Sequence, residues 1–179
     1  MQLFAAKILA RQLMDQSYTC PFTGKVQSLS HIPFKFDRAK SRLGACHWKR
    51  NRITRVIECK YITLSREITL LNDEECVRQT ILHEIAHFMA GPEVHHGWKW
   101  RKIALSIGCD GKRTSATHKE PESRYQGECP GCGKKFTMHR RPKGRRRCLT
   151  CGSSFYYVDT RTQTVVSKTK PFFLQSQAI

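Results

Sequence analysis

Acidic residues are in short supply in this chain. Only 14 Asp and Glu stand against 32 Lys and Arg, and the formal net charge is +18 across 179 residues. Such a charge favours a polyanion as partner, most often nucleic acid. Metal loading would not remove it, because four cysteine thiolates and two divalent ions cancel. Long apolar runs are missing too. No stretch reaches the roughly 18 apolar residues of a membrane span, so no membrane partner is expected. The opening MQLFAAKILARQLMDQ places Lys7 and Arg11 inside its apolar stretch. It lacks the core of a secretory signal and reads as an amphipathic helix. The expected setting is intracellular, where the nine cysteines stay reduced or bind metal. The hydrophobic fraction, 39%, is low but workable for a core. The length suits one medium domain and a small one.

What the chain does have is His83-Glu84-Ile85-Ala86-His87, an H-E-x-x-H run. Residues four apart share one helix face, so His83 and His87 can grip a single metal ion. Glu84 sits one residue after the first ligand, about 100° around the helix. Its carboxylate can reach a water in an open metal position. It can take the proton as that water attacks a carbonyl, then return it to the leaving amine. Zinc with three protein ligands keeps such a position and lowers the pKa of its water to about 7. The bland alternative is a helix whose two histidines happen to fall four apart.

The helix itself is well signalled. Asn72 or Asp73 can N-cap it, Glu74 and Glu75 suit its first turn, and Gly91 and Pro92 stop it. Val77, Ile81, Ile85 and Phe88 supply a buried stripe. A third ligand must come from elsewhere. The metzincin extension is absent, because Ala90 and Glu93 stand where its Gly and His would be. Glu120 is the one distant carboxylate of note. His96 is preferred, since it immediately precedes a helix start at Gly97 or Trp98, after a proline-containing turn that can bring the chain back. His95 is then a neighbour or a supporting group.

Before this run, residues 1–16 suggest a helix with Leu3, Phe4, Ile8, Leu9 and Leu13 toward a core. Residues 18–33 hold turn signals and a solitary Cys20. Strands are expected at Phe34–Asp37, at Arg42–Trp48 and at Val56–Ser65, with the basic turn Lys49-Arg50-Asn51-Arg52 between the last two. Cys46, His47 and Cys59 lack C-x-x-C spacing and read as core or cross-strand residues. One helix is expected over Leu70–Ala90 and another over Trp98–Ile107. Trp98 and Trp100 read as packing residues. Residues 111–126 read as a linker, and His118 within it as an ordinary surface histidine.

Cys129 and Cys132, then Cys148 and Cys151, form two C-x-x-C pairs with 15 residues between them. That is zinc-site spacing. It predicts a zinc ribbon, short antiparallel strands closed by a Cys₄ site with no open position, whose zinc is structural. Phe136, Phe155, Tyr156 and Tyr157 are its expected core. Between the pairs lie Lys134, Lys135, Arg140, Arg141, Lys143, Arg145, Arg146 and Arg147, eight cations with no acid among them. Either they form a solvated tip, or phosphates relieve their repulsion by counterion release. Residues 160–179 form a tail with strand-like Thr164-Val165-Val166 and an apolar Phe172-Phe173-Leu174 patch.

Across residues 34–158 the chain resembles the SprT-like (Spartan-type) zinc metalloproteases. The carrying stretches are Ala39-x-x-Arg42-x-Gly44, Ile62-Thr63-Leu64-Ser65, His83-Glu84-Ile85-Ala86-His87, His96-Gly97-x-x-Trp100 and the ribbon cysteines. The resemblance implies a catalytic zinc on His83, His87 and His96, with Glu84 as base. It implies an α+β architecture: a minimal zincin-like domain, helices on a small, mainly antiparallel sheet, over 1–120. A Cys₄ zinc ribbon over 121–160 and the 161–179 tail would follow. Some family members cut proteins crosslinked to DNA. The long partner-binding tails of eukaryotic members are absent, so the chain is similar to a short bacterial or viral member with a C-terminal ribbon. The implied place is the cytoplasm or nucleoid of a bacterium or an infected host cell. The expected state is a monomer with two zinc ions, working on proteins bound to nucleic acid, with DNA the expected kind. The alternative is a nucleic-acid-binding zinc protein whose zincin site is little used.

Overall fold

The computed structural model describes residues 1–113 and 118–166, and the backbone of 172–173. Residues 114–117 of the expected linker and Leu174 of the apolar patch lie outside the described residues. The chain divides into two compact units, Met1–Pro121 and Glu122–Ile179.

The first unit opens with α1 (Leu3–Met14), which buries Ala6, Leu9, Ala10, Leu13 and Met14. That is the i, i+3, i+4, i+7 stripe of an amphipathic helix. Leu9 and Leu13 face the core as expected, whereas Phe4 is 77% and Ile8 43% exposed. Ala6 and Ala10 stand on the buried face instead, and the helix packs against α3. Strands β1 (Ser17–Thr19) and β2 (Val26–Ser28) then form a hairpin, in a stretch whose sequence shows only turn signals.

The central sheet has the order β3-β5-β4, from β3 (Phe34–Asp37), β4 (Gly44–Arg50) and β5 (Ile57–Ser65). β4 runs antiparallel to β5, with a bulge between His47 and Trp48. β3 runs parallel to β5. β5 is the middle strand, and Ile62, Thr63, Leu64 and Ser65 are all buried. Ser65 also caps α2 (Arg66–Leu71) by accepting the Ile68 N–H at 3.1 Å.

Where one helix was expected over Leu70–Ala90, there are two. Asn72 takes an extended conformation between them. Its amide donates to the carbonyls of Ile68 and Lys119 at 2.8 Å, and its carbonyl accepts the Lys119 N–H at 2.8 Å. Asp73 then caps α3 (Glu74–Ala90) through the Cys76 N–H at 2.9 Å. Val77, Ile81 and Ile85 are buried in α3, and Gly91 ends it at φ 90°. Phe88 is half-buried and stacks on Trp48. The last helix, α4 (Trp98–Ser106), buries Trp100, Ile103 and Ala104. Trp98 is 68% exposed, against its expected packing role, because it lies about 200° around the helix from Trp100.

The second unit is a set of short strands: β6 (Tyr125–Glu128), β7 (Lys135–Met138), β8 (Arg146–Arg147), β9 (Ser154–Phe155), β10 (Val158–Asp159), β11 (Thr164–Val165) and β12 (Phe172–Phe173). One sheet has the order β12-β11-β10-β6-β7, and β8 pairs with β9. Part of the expected tail thus joins the ribbon sheet as β11 and β12. Phe136 stacks on Phe155 at 4.7 Å, and Tyr125, Tyr157 and Val166 complete the small core. Tyr156 is 42% exposed rather than in that core, since alternation along the chain turns it opposite to Phe155 and Tyr157. Among the described residues no helix is long and apolar enough to cross a membrane.

Candidate active site

Helix periodicity puts His83 and His87 on one face of α3, and the turn after Gly91 carries His96 back to them. Their Nε2 atoms form a triangle: His83 to His96 2.9 Å, His87 to His96 3.0 Å, His83 to His87 3.2 Å. Three ring nitrogens that close are edges an ion spans at 2.0–2.1 Å from each. The rings are also electrostatically prepared. Burial, and then mutual repulsion, push His83 down to about 3 and His87 down to about 4. His96 is lowered by burial, then by Arg113 and His95. Near neutral pH the rings are uncharged and can offer lone pairs. The backbone of Lys112 hydrogen-bonds the His83 ring, the kind of outer contact that orients a ligand. His95 is exposed and Glu120 hydrogen-bonds His118 at 2.9 Å; both line the same cleft, and neither belongs to the histidine cluster.

Trp100 is the floor of this cluster. It is 1% exposed, and its ring lies 4.5, 5.3 and 4.8 Å from the rings of His83, His87 and His96. A rigid aromatic wall on one side of three imidazoles restricts their rotamers and keeps water off that side.

Glu84 faces β4, the edge of the central sheet. It is buried, and burial pushes its carboxyl up to about 8. The Cys46 backbone N–H donates to the carboxylate and, with nearby Arg42, opposes that rise. Gly44 makes the approach possible. A Cβ there would lie 3.0 Å from Glu84 Cγ, from Glu84 Oε1 and from the Thr63 carbonyl. This role was not read from the sequence, although glycine inside a strand is itself a sign of close approach.

A polar chain props the same strand. Arg42 is paired with Asp37. Asp37 accepts from Thr63 Oγ1 at 3.0 Å and from the Ala39 N–H at 2.9 Å. Thr63 Oγ1 lies 3.0 Å from His47 Nε2, and Ser65 Oγ donates to the Ala39 carbonyl at 2.6 Å. The motif residues Ala39, Arg42, Gly44, Thr63 and Ser65 therefore hold one structure together, the strand against which Glu84 rests. Above it opens a cleft of about 910 Å³, lined by Arg42, Gly44, Trp48, His83, Glu84, His87 and His96 among others.

In the second unit the Sγ atoms of Cys129, Cys132, Cys148 and Cys151 lie within 4.8 Å of one another. Cys129 is 3.3 Å from Cys151, and Cys132 is 3.7 Å from Cys148, edges that suit Zn–S bonds of about 2.3 Å. Each pair sits on the same turn. The Cys129 N–H bonds to the Lys134 carbonyl and the Gly133 N–H to the Cys129 carbonyl; Cys148, Ser153 and Gly152 repeat this. Backbone N–H groups of Cys151 and Thr150 hold the Cys148 thiol down to about 6. Lys134, Lys135, Arg140, Arg141, Lys143, Arg145, Arg146 and Arg147 are all exposed. Among the described residues no carboxylate pairs with any of the eight.

No curated protein and no solved structure matches the chain. The model of the SprT-like family matches residues 10–120. That stretch holds the end of α1, the central sheet, the three histidines and Glu84, and with it the chain belongs to the SprT-like family.

Proposed function

We propose that the chain is a zinc-dependent metallopeptidase acting on proteins held at nucleic acid, including proteins crosslinked to DNA. The observation that carries this reading is the buried Glu84 carboxyl group beside three converging neutral imidazoles, lining an open cleft. His83, His87 and His96 would hold the catalytic zinc, and Cys129, Cys132, Cys148 and Cys151 the structural one. The catalytic ion would supply Lewis acidity and acidify a water toward neutral pH.

The remaining work falls to the chain's own groups. Glu84 takes a proton from the attacking water and delivers it to the leaving amine. The Cys46 N–H and the bare Gly44 backbone hold its carboxylate in place. Trp100 and the Lys112 backbone orient the imidazoles. The cleft is large enough for an extended peptide segment. The eight exposed ribbon cations supply phosphate contacts that concentrate the enzyme on nucleic-acid-bound proteins, without reading sequence.

Cleavage of a DNA-bound protein, with and without DNA, tests the reading. Glu84→Gln should keep the fold and the metal and lower hydrolysis by about 10²–10⁴-fold. Undiminished hydrolysis by this variant would overturn it, and would leave a nucleic-acid-binding zinc protein with an idle zincin site.

A further inference from the structure

Phe22 and Trp98 stand together on the surface of the first unit. Trp98 is 68% exposed and Phe22 40%. Their rings meet edge to face at 5.4 Å and 86°. Two lysines of α4 attend them, with Lys99 Nζ 5.8 Å from the Trp98 ring and Lys102 Nζ 5.1 Å from the Phe22 ring. No acid lies in the first turn of α4.

Both rings are presented by rigid backbone. Trp98 is the first residue of α4, after the extended Gly97 cap. Phe22 sits in the β1–β2 turn, closed by the Cys20 N–H to Lys25 carbonyl bond and the Gly24 N–H to Cys20 carbonyl bond, both 2.9 Å. Burying these rings would be the ordinary use of such side chains, so two of them exposed side by side mark a contact surface.

We propose that this aromatic pair is a stacking platform for single-stranded nucleic acid. Bases have a π-face whatever their identity, and an exposed tryptophan offers a matching one. The two ammonium groups over these rings can leave them for the phosphates that link successive bases. Duplex fits poorly, because its bases are already stacked inside and the platform has no element shaped for a groove. A polypeptide fits less well than a polyanion, given cations at both rings. The inference deepens the nucleic-acid part of the proposed function and rests on it. It adds a second contact, on the protease unit itself and separate from the ribbon cations. A protein attached to an unpaired strand would then be delivered to the unit that carries the cleft.

The test uses the full, zinc-loaded chain and an oligothymidylate, with a duplex of equal length for comparison. Trp98 is the mostly exposed one of three tryptophans, so its emission should be quenched as the oligothymidylate binds. Trp98→Ala and Phe22→Ala should each weaken oligothymidylate binding at least about fivefold, with duplex affinity changed less than about twofold. Trp98→Phe should recover most of the loss. Unchanged thermal melting would show that the variants are folded. Unaltered oligothymidylate affinity in Trp98→Ala, while wild type binds duplex normally, would overturn this inference alone. Failure of wild type to bind either nucleic acid would overturn the nucleic-acid reading as well. Tighter binding of an unfolded polypeptide than of the oligothymidylate, lost in Trp98→Ala, would reassign the platform to peptide and also overturn it.

Discussion

Three imidazoles make the cluster of the first unit, drawn from α3 and from the turn that precedes α4. Four thiols make the cluster of the second, drawn from two copies of one tight turn. Four thiolates fill a tetrahedral sphere, whereas three imidazoles leave a position for water. The surroundings differ to match. Beside the imidazoles are a buried carboxylate, an aromatic floor and a cleft. Beside the thiols are backbone N–H groups and exposed cations. One cluster has the donor set that would leave a metal position open, and the other the set that would close a small unit with little core of its own.

The β1–β2 turn sharpens the contrast. Cys20-Pro21-Phe22-Thr23-Gly24-Lys25 makes the same two hydrogen bonds as Cys129-Pro130-Gly131-Cys132-Gly133-Lys134. Thr23 stands where the ribbon has its second cysteine, and Gly24 takes φ +64° where Gly133 takes +68°. The turn thus forms without a second thiol, so the backbone supplies the knuckle and the cysteines add the metal site.

The largest effect should come from removing a ligand of the open cluster. His96→Ala should lose one metal ion and reduce hydrolysis to background, while His95→Ala keeps the ion; metal analysis of both variants decides the register of the turn. Next comes Gly44→Ala. Its methyl would press on Glu84 and on the Thr63 carbonyl, each 3.0 Å away. Displacing a general base by a few tenths of an ångström should cost about tenfold in kcat, with both metal ions retained. Overpacking there should also lower stability by about 1 kcal/mol, read from denaturant melts. The smallest effect concerns the ribbon surface. Replacing Arg145, Arg146 and Arg147 by Ser should flatten the slope of log K against log salt by up to about three contacts, at about 0.9 per phosphate on duplex DNA. An unchanged slope would move the main phosphate contacts away from this hairpin.

The features legible in the sequence are those set by local spacing. H-E-x-x-H shows because four residues make a helix repeat, and the ribbon shows because its C-x-x-C pairs carry their own turns. What was not legible depends on distant partners. The break at Asn72 needs the Lys119 backbone, 47 residues on. The bare backbone at Gly44 is explained only by Glu84 on another element. On α1, side-chain size points correctly to Leu9 and Leu13 but also to the exposed Phe4 and Ile8, and not to the buried Ala6 and Ala10. On α4 the stripe of Trp100, Ile103 and Ala104 is legible and buried, whereas Trp98, read as a packing residue by its type, lies off that stripe and is exposed.

Metal analysis during mild chelation tests the contrast between the two clusters most directly. Fully loaded protein should carry two zinc ions. One should leave first, in step with peptide hydrolysis, and return with it on re-addition of zinc. The other should stay until the ribbon unfolds. A single zinc in fully loaded protein, or hydrolysis that survives loss of the first ion, would contradict the division into an open catalytic site and a closed structural one.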